Sequence, residues 1–294
     1  MEGTMVFEGL DDSPRRIREL LDERGLSLKK RWGQNFMISR AARERIVASL
    51  EPDADDLVWE IGSGLGAITE LLVERARRVV VFEVDYGLMQ VIEERFGETV
   101  SIVAGDAVKT LPAADEPPDR IAGNLPYRSA AAIVSAILET PRLISGAKRL
   151  VFTVQREMAL RMVAAPDTSD YSPFSVLCQL NARVKHGGDL SRGNFYPAPD
   201  VVSSIVIMDP APLEPTMRAL CAQVARALFA QRRKTISNNA SSLADALGAD
   251  VGTVRSIIVA AGVDLSARAE SVPPGLFLEI ARRLSGLGDY SGRT

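Results

Sequence analysis

Three closely spaced glycines are the first chemistry-bearing feature of the chain, in the stretch Glu60-Ile-Gly-Ser-Gly-Leu-Gly66. It closes an apolar run and opens a helical pattern. Gly62, Gly64 and Gly66 permit a tight turn and let a ligand press against bare backbone. A nucleotide-like ligand lying across the carboxyl ends of parallel strands requires such a turn. The glycines alone do not name the ligand, because dinucleotide-binding proteins carry GxGxxG at the same place. Glu83 ends the next apolar run, 21 residues after Gly62, where a carboxylate can accept hydrogen bonds from both hydroxyls of a ribose. That geometry suits NAD and S-adenosylmethionine equally. A third run ends in Gly105-Asp106-Ala107, and a carboxylate there can accept from the exocyclic amine of an adenine ring. Taken singly, Asp106 also reads as a helix N-cap and Glu83 as a surface carboxylate.

An acid after the second strand followed by an acid after the third resembles the class I S-adenosylmethionine-dependent methyltransferases. The fourth run leads into Asn124-Leu125-Pro126-Tyr127. Asn and Pro both favour turns, but this strand end is the one that abuts a bound methyl donor. Asn-x-Pro-aromatic at that place resembles the signature of enzymes that methylate exocyclic amines of bases. Adenine N6 is a poor nucleophile because its lone pair is delocalised into the ring. The Asn124 side-chain oxygen and the Pro126 backbone carbonyl are expected to accept both N6 hydrogens and so localise that lone pair. Tyr127 is expected to stack on a base turned out of its own stack and to favour the positive charge that develops on transfer. No general base is required, and positioning supplies most of the rate. Phe195, in Asn194-Phe-Tyr-Pro-Ala-Pro199, is the candidate for the other face of the base, with a core Phe beside an edge strand as its alternative.

These residues need a scaffold, and the chain supplies the pattern for one. Short apolar runs at 57–61, 79–84, 100–103, 120–122 and 150–154 alternate with helical segments at 67–75, 88–95 and 130–138. Strand-helix-strand repetition predicts a largely parallel sheet covered on both faces, an α/β fold of Rossmann type. The run at 201–207 follows a Pro-rich segment and is expected to add an antiparallel edge. Two helices, 13–24 with Ser13 as N-cap and Pro14 at its first position, and 40–50, precede the first run. Beyond Pro212 only amphipathic helical segments remain, at 217–229, 236–247, 251–261 and 275–284. The expected domains are an N-terminal helical extension (1–28), a catalytic domain (29–212) and a small all-helical domain (213–294).

Composition sets outer bounds. The chain has 294 residues, 46% hydrophobic and 25% charged, an ordinary globular balance that excludes disordered and collagen-like classes. No apolar stretch of about 18 residues predicts a membrane span, and the first residues do not read as a secretory signal. Cys178 and Cys221 lack metal-ligand spacing, so neither a disulfide framework nor a metal site is expected, and a cytoplasmic location fits. The single histidine, His186, excludes mechanisms that need a histidine pair. Net charge is −3, unevenly spread: residues 1–120 carry 16 Lys+Arg against 24 Asp+Glu, a net −8, and residues 121–294 carry 19 against 14, a net +5. Lys29-Lys30-Arg31 and Arg232-Arg233-Lys234 are basic clusters that a polyanion can meet.

Together, Gly33-Gln-Asn-Phe36, Glu60-Ile-Gly-Ser-Gly, Gly105-Asp-Ala, Asn124-Leu-Pro-Tyr127, Asn194-Phe-Tyr-Pro-Ala-Pro199 and Phe229-Ala-Gln-Arg-Arg-Lys-Thr235 resemble the rRNA adenine N6,N6-dimethyltransferases, in their small-subunit branch. The resemblance runs from about Lys29 to the C-terminal helices. It implies transfer of four methyl groups, two to each of two adjacent adenosines in a hairpin near the 3′ end of 16S rRNA, during late maturation of the small ribosomal subunit. It implies S-adenosylmethionine as donor and S-adenosylhomocysteine as product. Cofactor contacts carried over are Asn35, Met37, Gly62, Glu83, Asp106 and Asn124, with Gln34 positioning that wall. Tyr127 and Phe195 would flank the adenine, and Arg232, Arg233 and Lys234 would meet rRNA phosphate. The chain departs from the family's usual pattern at Ser63, at Met37 and around Asp200, near which a basic residue is common. Three other readings compete: a 23S rRNA adenine methyltransferase of the erythromycin-resistance type, a non-catalytic ribosome-assembly factor on the same fold, and an NAD-dependent dehydrogenase. The last leaves Asn124–Tyr127 unexplained. A monomer is the default expectation.

Overall fold

The computed structural model describes residues 13–26 and 35–286, and these fall into two compact units. Nine strands are formed among the described residues: β1 (Phe36–Met37), β2 (Leu57–Ile61), β3 (Arg78–Glu83), β4 (Val100–Ala104), β5 (Arg120–Asn124), β6 (Arg149–Gln155), β7 (Ala182–Leu190), β8 (Phe195–Tyr196) and β9 (Ser203–Pro210). Seven lie in one sheet in the order β4-β3-β2-β5-β6-β9-β7. Its first five neighbours are parallel, and β9 runs antiparallel to β6. All five residues of β2 are buried, because helices cover both faces. That is why Leu-Val-Trp-Glu-Ile is a near-continuous apolar run and not an alternating one.

Helix Arg40–Leu50 packs on β5 and β6, Thr69–Val73 on β3, and Tyr86–Phe96 on β3 and β4. Ile46, Leu50, Val58, Leu72, Val81 and Ile205 belong to one buried apolar cluster of this unit. The sheet order reverses direction between β2 and β5, so a crevice opens outside their carboxyl ends, the general ligand position in open α/β sheets. Helix Pro14–Glu23, capped by the Ser13 hydroxyl on the Arg16 N–H, is not a free-standing extension. Its Ile17 and Leu21 are buried with Phe36, Leu65 and Leu88 of the same unit.

Three features differ from the sequence reading. The strand expected at 201–207 begins at Ser203 and is interior; the edge is β7, whose Gly187-Gly188 and mostly exposed polar residues hide it from an apolar-run search. A second sheet pairs β1 with β8, Phe36 opposite Tyr196 and Met37 opposite Phe195, each too short to show periodicity. Finally, the second unit takes residues 160–184 as well as 210–294, so its start is not the 213 of the sequence reading. Tyr171 and Val176 lie in the same buried cluster as Leu228, Leu243, Ile258 and Phe277. The Tyr171 hydroxyl also donates to the Val272 carbonyl at 2.8 Å. Helices Pro173–Asn181, Pro215–Leu228, Ile236–Leu247, Val251–Ala260 and Pro274–Ser285 build this unit.

Candidate active site

A cavity of about 260 Å³ fills the crevice, walled by the turns after β2, β3, β4 and β5 and by residues 35–37. Each turn contributes the residue type that its chemistry needs. Gly64 takes φ +57°, and a Cβ on it would lie 3.1 Å from the Phe36 ring, so a side chain would strain the turn and press into the wall. Gly62, at φ +72°, brings the turn after β2 against the end of β5, since a Cβ there would lie 3.7 Å from the Asn124 carbonyl oxygen.

Glu83 is buried and held from three sides: Gly64 N–H donates to Oε2 at 3.2 Å, and Val84 and Asp85 N–H donate to Oε1 at 2.9 and 3.0 Å. Burial pushes its carboxyl above the usual range, against the pull of those backbone donors. Asp106 is exposed, lines the cavity, and caps helix Ala107–Ala113 through Oδ1 and the Val108 N–H at 3.0 Å. Capping and ligand contact are compatible, because a carboxylate offers about four lone-pair sites. Glu60 also lines the cavity. It accepts a hydrogen bond from the Thr69 hydroxyl at 2.5 Å, and burial, with Glu83 adding to it, pushes its carboxyl up to about 7.

At the end of β5, the Asn124 amide donates through Nδ2 to the Asn35 carbonyl at 2.9 Å. One of the two Nδ2 hydrogens is thereby engaged, which orients the amide and leaves Oδ1 as an acceptor. The Tyr127 hydroxyl hydrogen-bonds Ser203 Oγ on β9 at 2.6 Å, which fixes the far end of a half-buried ring. Burial raises the Tyr127 phenol above its ordinary value, opposed by Ser203. Asn35, Met37, Gly62, Gly64, Glu83, Asp106, Asn124, Pro126 and Tyr127 all line this one cavity.

Two expected roles change. The Pro126 carbonyl accepts from Ser129 N–H at 3.0 Å and Ala130 N–H at 2.9 Å, opening helix Ala130–Glu139. The Ser129 hydroxyl reaches the same oxygen at 3.4 Å, so Pro126 is an already crowded acceptor for an amine hydrogen. Among the described residues no donor meets the neighbouring Leu125 carbonyl, and Leu125 lines the cavity. Phe195 is only 2% exposed and packs in the apolar cluster with Ile205 and Met37. It is absent from the lining and backs the wall through its pairing with Met37, the core placement that its sequence context also allowed. Gln34 and Lys29-Lys30-Arg31 lie outside the described residues. In the helical unit Arg232, Arg233 and Lys234 are exposed on one turn. Arg232 is already engaged, donating to the Ser169 carbonyl at 2.6 Å and pairing with Glu270 at 3.3 Å. Ser203 and Arg128, which also lines the cavity, were missed; Arg128 adjoins the Asn124–Tyr127 motif, whereas nothing in the sequence marks Ser203.

A family profile described as ribosomal RNA adenine dimethylase matches residues 25–285. The chain belongs to that family. It is 36% identical over 284 residues, 94% of this chain and 98% of the relative, to ribosomal RNA small subunit methyltransferase A of Treponema pallidum. The protein of the same name from Cupriavidus necator is 35% identical over 88% of this chain and 92% of its own. Among solved structures, a dimethyladenosine transferase from Plasmodium falciparum superposes with a TM-score of 0.68 at 21% identity, covering 82% of this chain and 94% of that one. The 23S rRNA methyltransferase ErmE gives a TM-score of 0.62 at 26% identity, covering 85% and 99%. The chain is therefore an S-adenosylmethionine-dependent methyltransferase of rRNA adenine with a Rossmann-like catalytic fold and a helical C-terminal region. No described helix is long and apolar enough to cross a membrane.

Proposed function

We propose that this protein dimethylates N6 of two adjacent adenosines in a hairpin near the 3′ end of 16S rRNA, acting as a cytoplasmic monomer on the maturing small ribosomal subunit. The observation that carries the reading is the oriented Asn124 amide, whose Nδ2 is held by Asn35 while Oδ1 stays free to accept.

The cavity fits the donor on the chemistry of its walls. Glu83 would accept from ribose hydroxyls and Asp106 from the adenine amine; Gly62 and Gly64 offer bare backbone, and Asn35 and Met37 line the same cavity. Bound there, S-adenosylmethionine supplies an electrophilic methyl group. The chain's own work is to present the amine. Asn124 Oδ1 and the Leu125 carbonyl accept the two N6 hydrogens, draw the lone pair out of ring conjugation and aim it along one direction. Tyr127, tethered to Ser203, stacks on the flipped base and stabilises the charge that grows on it. Phe36, Leu65 and Ile133 give the cavity an apolar wall. No side chain needs to move a proton in the transfer step; positioning and electrostatic complementarity lower the barrier.

The names of the relatives at 35–36% identity support the small subunit as the substrate. Incubation with labelled S-adenosylmethionine and separately purified, unmethylated 30S and 50S subunits tests it. Label should enter 30S alone. Label confined to 50S would move the protein to the 23S branch, and 30S binding with no label would leave an assembly factor.

A further inference from the structure

Beside the base-stacking Tyr127, the cavity carries a cation that the transfer chemistry does not use. Arg128 is exposed and lines the cavity at the loop after β5. Among the described lining residues it is the one cation, set against Glu60, Glu83 and Asp106. No described residue forms an ion pair or hydrogen bond with its side chain. A guanidinium in that position recognises an oxyanion, preferably one that takes two parallel hydrogen bonds.

Two oxyanions come near such a cavity: a phosphate of the RNA backbone and the carboxylate of the methyl donor. The exposure of Arg128 and its adjacency to the residue that holds the base favour the first. An adenosine turned out of its stack carries its own sugar and phosphates to the mouth of the pocket, and the exposed Asp106 carboxylate on the lining would repel them without a counter-charge. We propose that Arg128 clamps a backbone phosphate flanking the flipped adenosine, holding the substrate strand at the cavity mouth. The inference rests on the function proposed above and names a substrate contact that it lacks.

The test is the salt dependence of 30S binding. For wild type, Arg128→Gln and Arg128→Lys, affinity for unmethylated 30S subunits is measured from low to moderate salt, together with affinity for S-adenosylhomocysteine by calorimetry and the thermal midpoint. Loss of one phosphate contact should weaken Arg128→Gln about 3- to 10-fold at low salt. It should also flatten the plot of log affinity against log salt by roughly 0.7 to 0.9. Arg128→Lys should keep the slope. Affinity for S-adenosylhomocysteine and thermal midpoint should stay at wild-type values. An unchanged slope overturns the proposal, and weakened S-adenosylhomocysteine binding overturns it in favour of the carboxylate. If wild type ignores 30S and binds 50S, the function reading fails instead, and the same slopes on 50S decide the role of Arg128.

Discussion

Replacing Glu60 with glutamine should raise the melting temperature of the cofactor-free protein at pH 8 and leave it unchanged near pH 4.5. Glu60 is fully enclosed, with the Thr69 hydroxyl on its Oε2. Burial is the main cause that lifts its carboxyl from 4.5 to about 7, and the neighbouring Glu83 adds to it. Between those pH values the folded protein keeps a proton that the unfolded chain has released. The folded state is therefore favoured below pH 4.5, and this stability is lost as pH rises through 7. Each pH unit of separation is worth 1.36 kcal/mol, so the loss by pH 8 is about 3 kcal/mol at most. Glutamine is neutral throughout, still accepts from Thr69 and removes the loss. At 2–4 °C per kcal/mol for a unit of this size, the gain at pH 8 is roughly 6–12 °C. Scanning calorimetry of both proteins from pH 4.5 to 8 reads it directly. Parallel curves over that range, or a variant less stable at pH 8, would refute the assignment of a raised carboxyl to Glu60.

Three further outcomes are expected. Asn124→Ala should lower turnover about 10²- to 10³-fold while S-adenosylhomocysteine affinity stays within a few-fold; near-normal turnover would remove Oδ1 from the mechanism. Glu83→Ala removes the proposed ribose acceptor and orphans the N–H groups of Gly64, Val84 and Asp85. Calorimetry should show S-adenosylhomocysteine binding weakened about tenfold or more, and unchanged affinity would take Glu83 out of the site. Tyr127→Phe and Ser203→Ala should each reduce kcat/KM, with the double variant losing less than the sum by about 1 kcal/mol; strictly additive losses would mean that the tether does not act on catalysis.

The parts of the molecule legible in its sequence are those where one local rule dominates. Leu57–Ile61 and Arg149–Gln155 are buried on both faces, so their apolar runs mark strands with little ambiguity. Helix Arg40–Leu50 announces itself by the Ser39 cap, and Ile236–Leu247 by Gly248, which ends it at φ +63°. That Gly62, Gly64, Glu83, Asp106 and Asn124 line one cavity was readable because each stands at or just after a strand's carboxyl end, where the crevice of an open α/β sheet lies. What failed depended on register and on hydrogen bonds between distant segments. In Phe195-Tyr196 two aromatics alternate faces over a two-residue strand, and only the pairing with Phe36-Met37 decides which one enters the core. The Pro126 carbonyl accepts from Ser129 and Ala130, which open a helix there, a fact that composition does not carry. The boundary of the helical unit escaped because Tyr171 and Val176 join its core from far upstream.

The measurement that bears most directly on the account is nucleoside mass spectrometry of 16S rRNA after reaction of the protein and S-adenosylmethionine with unmethylated 30S subunits. The account predicts N6,N6-dimethyladenosine at two adjacent positions near the 3′ end, absent when the Asn124→Ala protein is used. Methylation of 30S on any atom other than adenine N6, or dimethyladenosine formed equally by the variant, would contradict it.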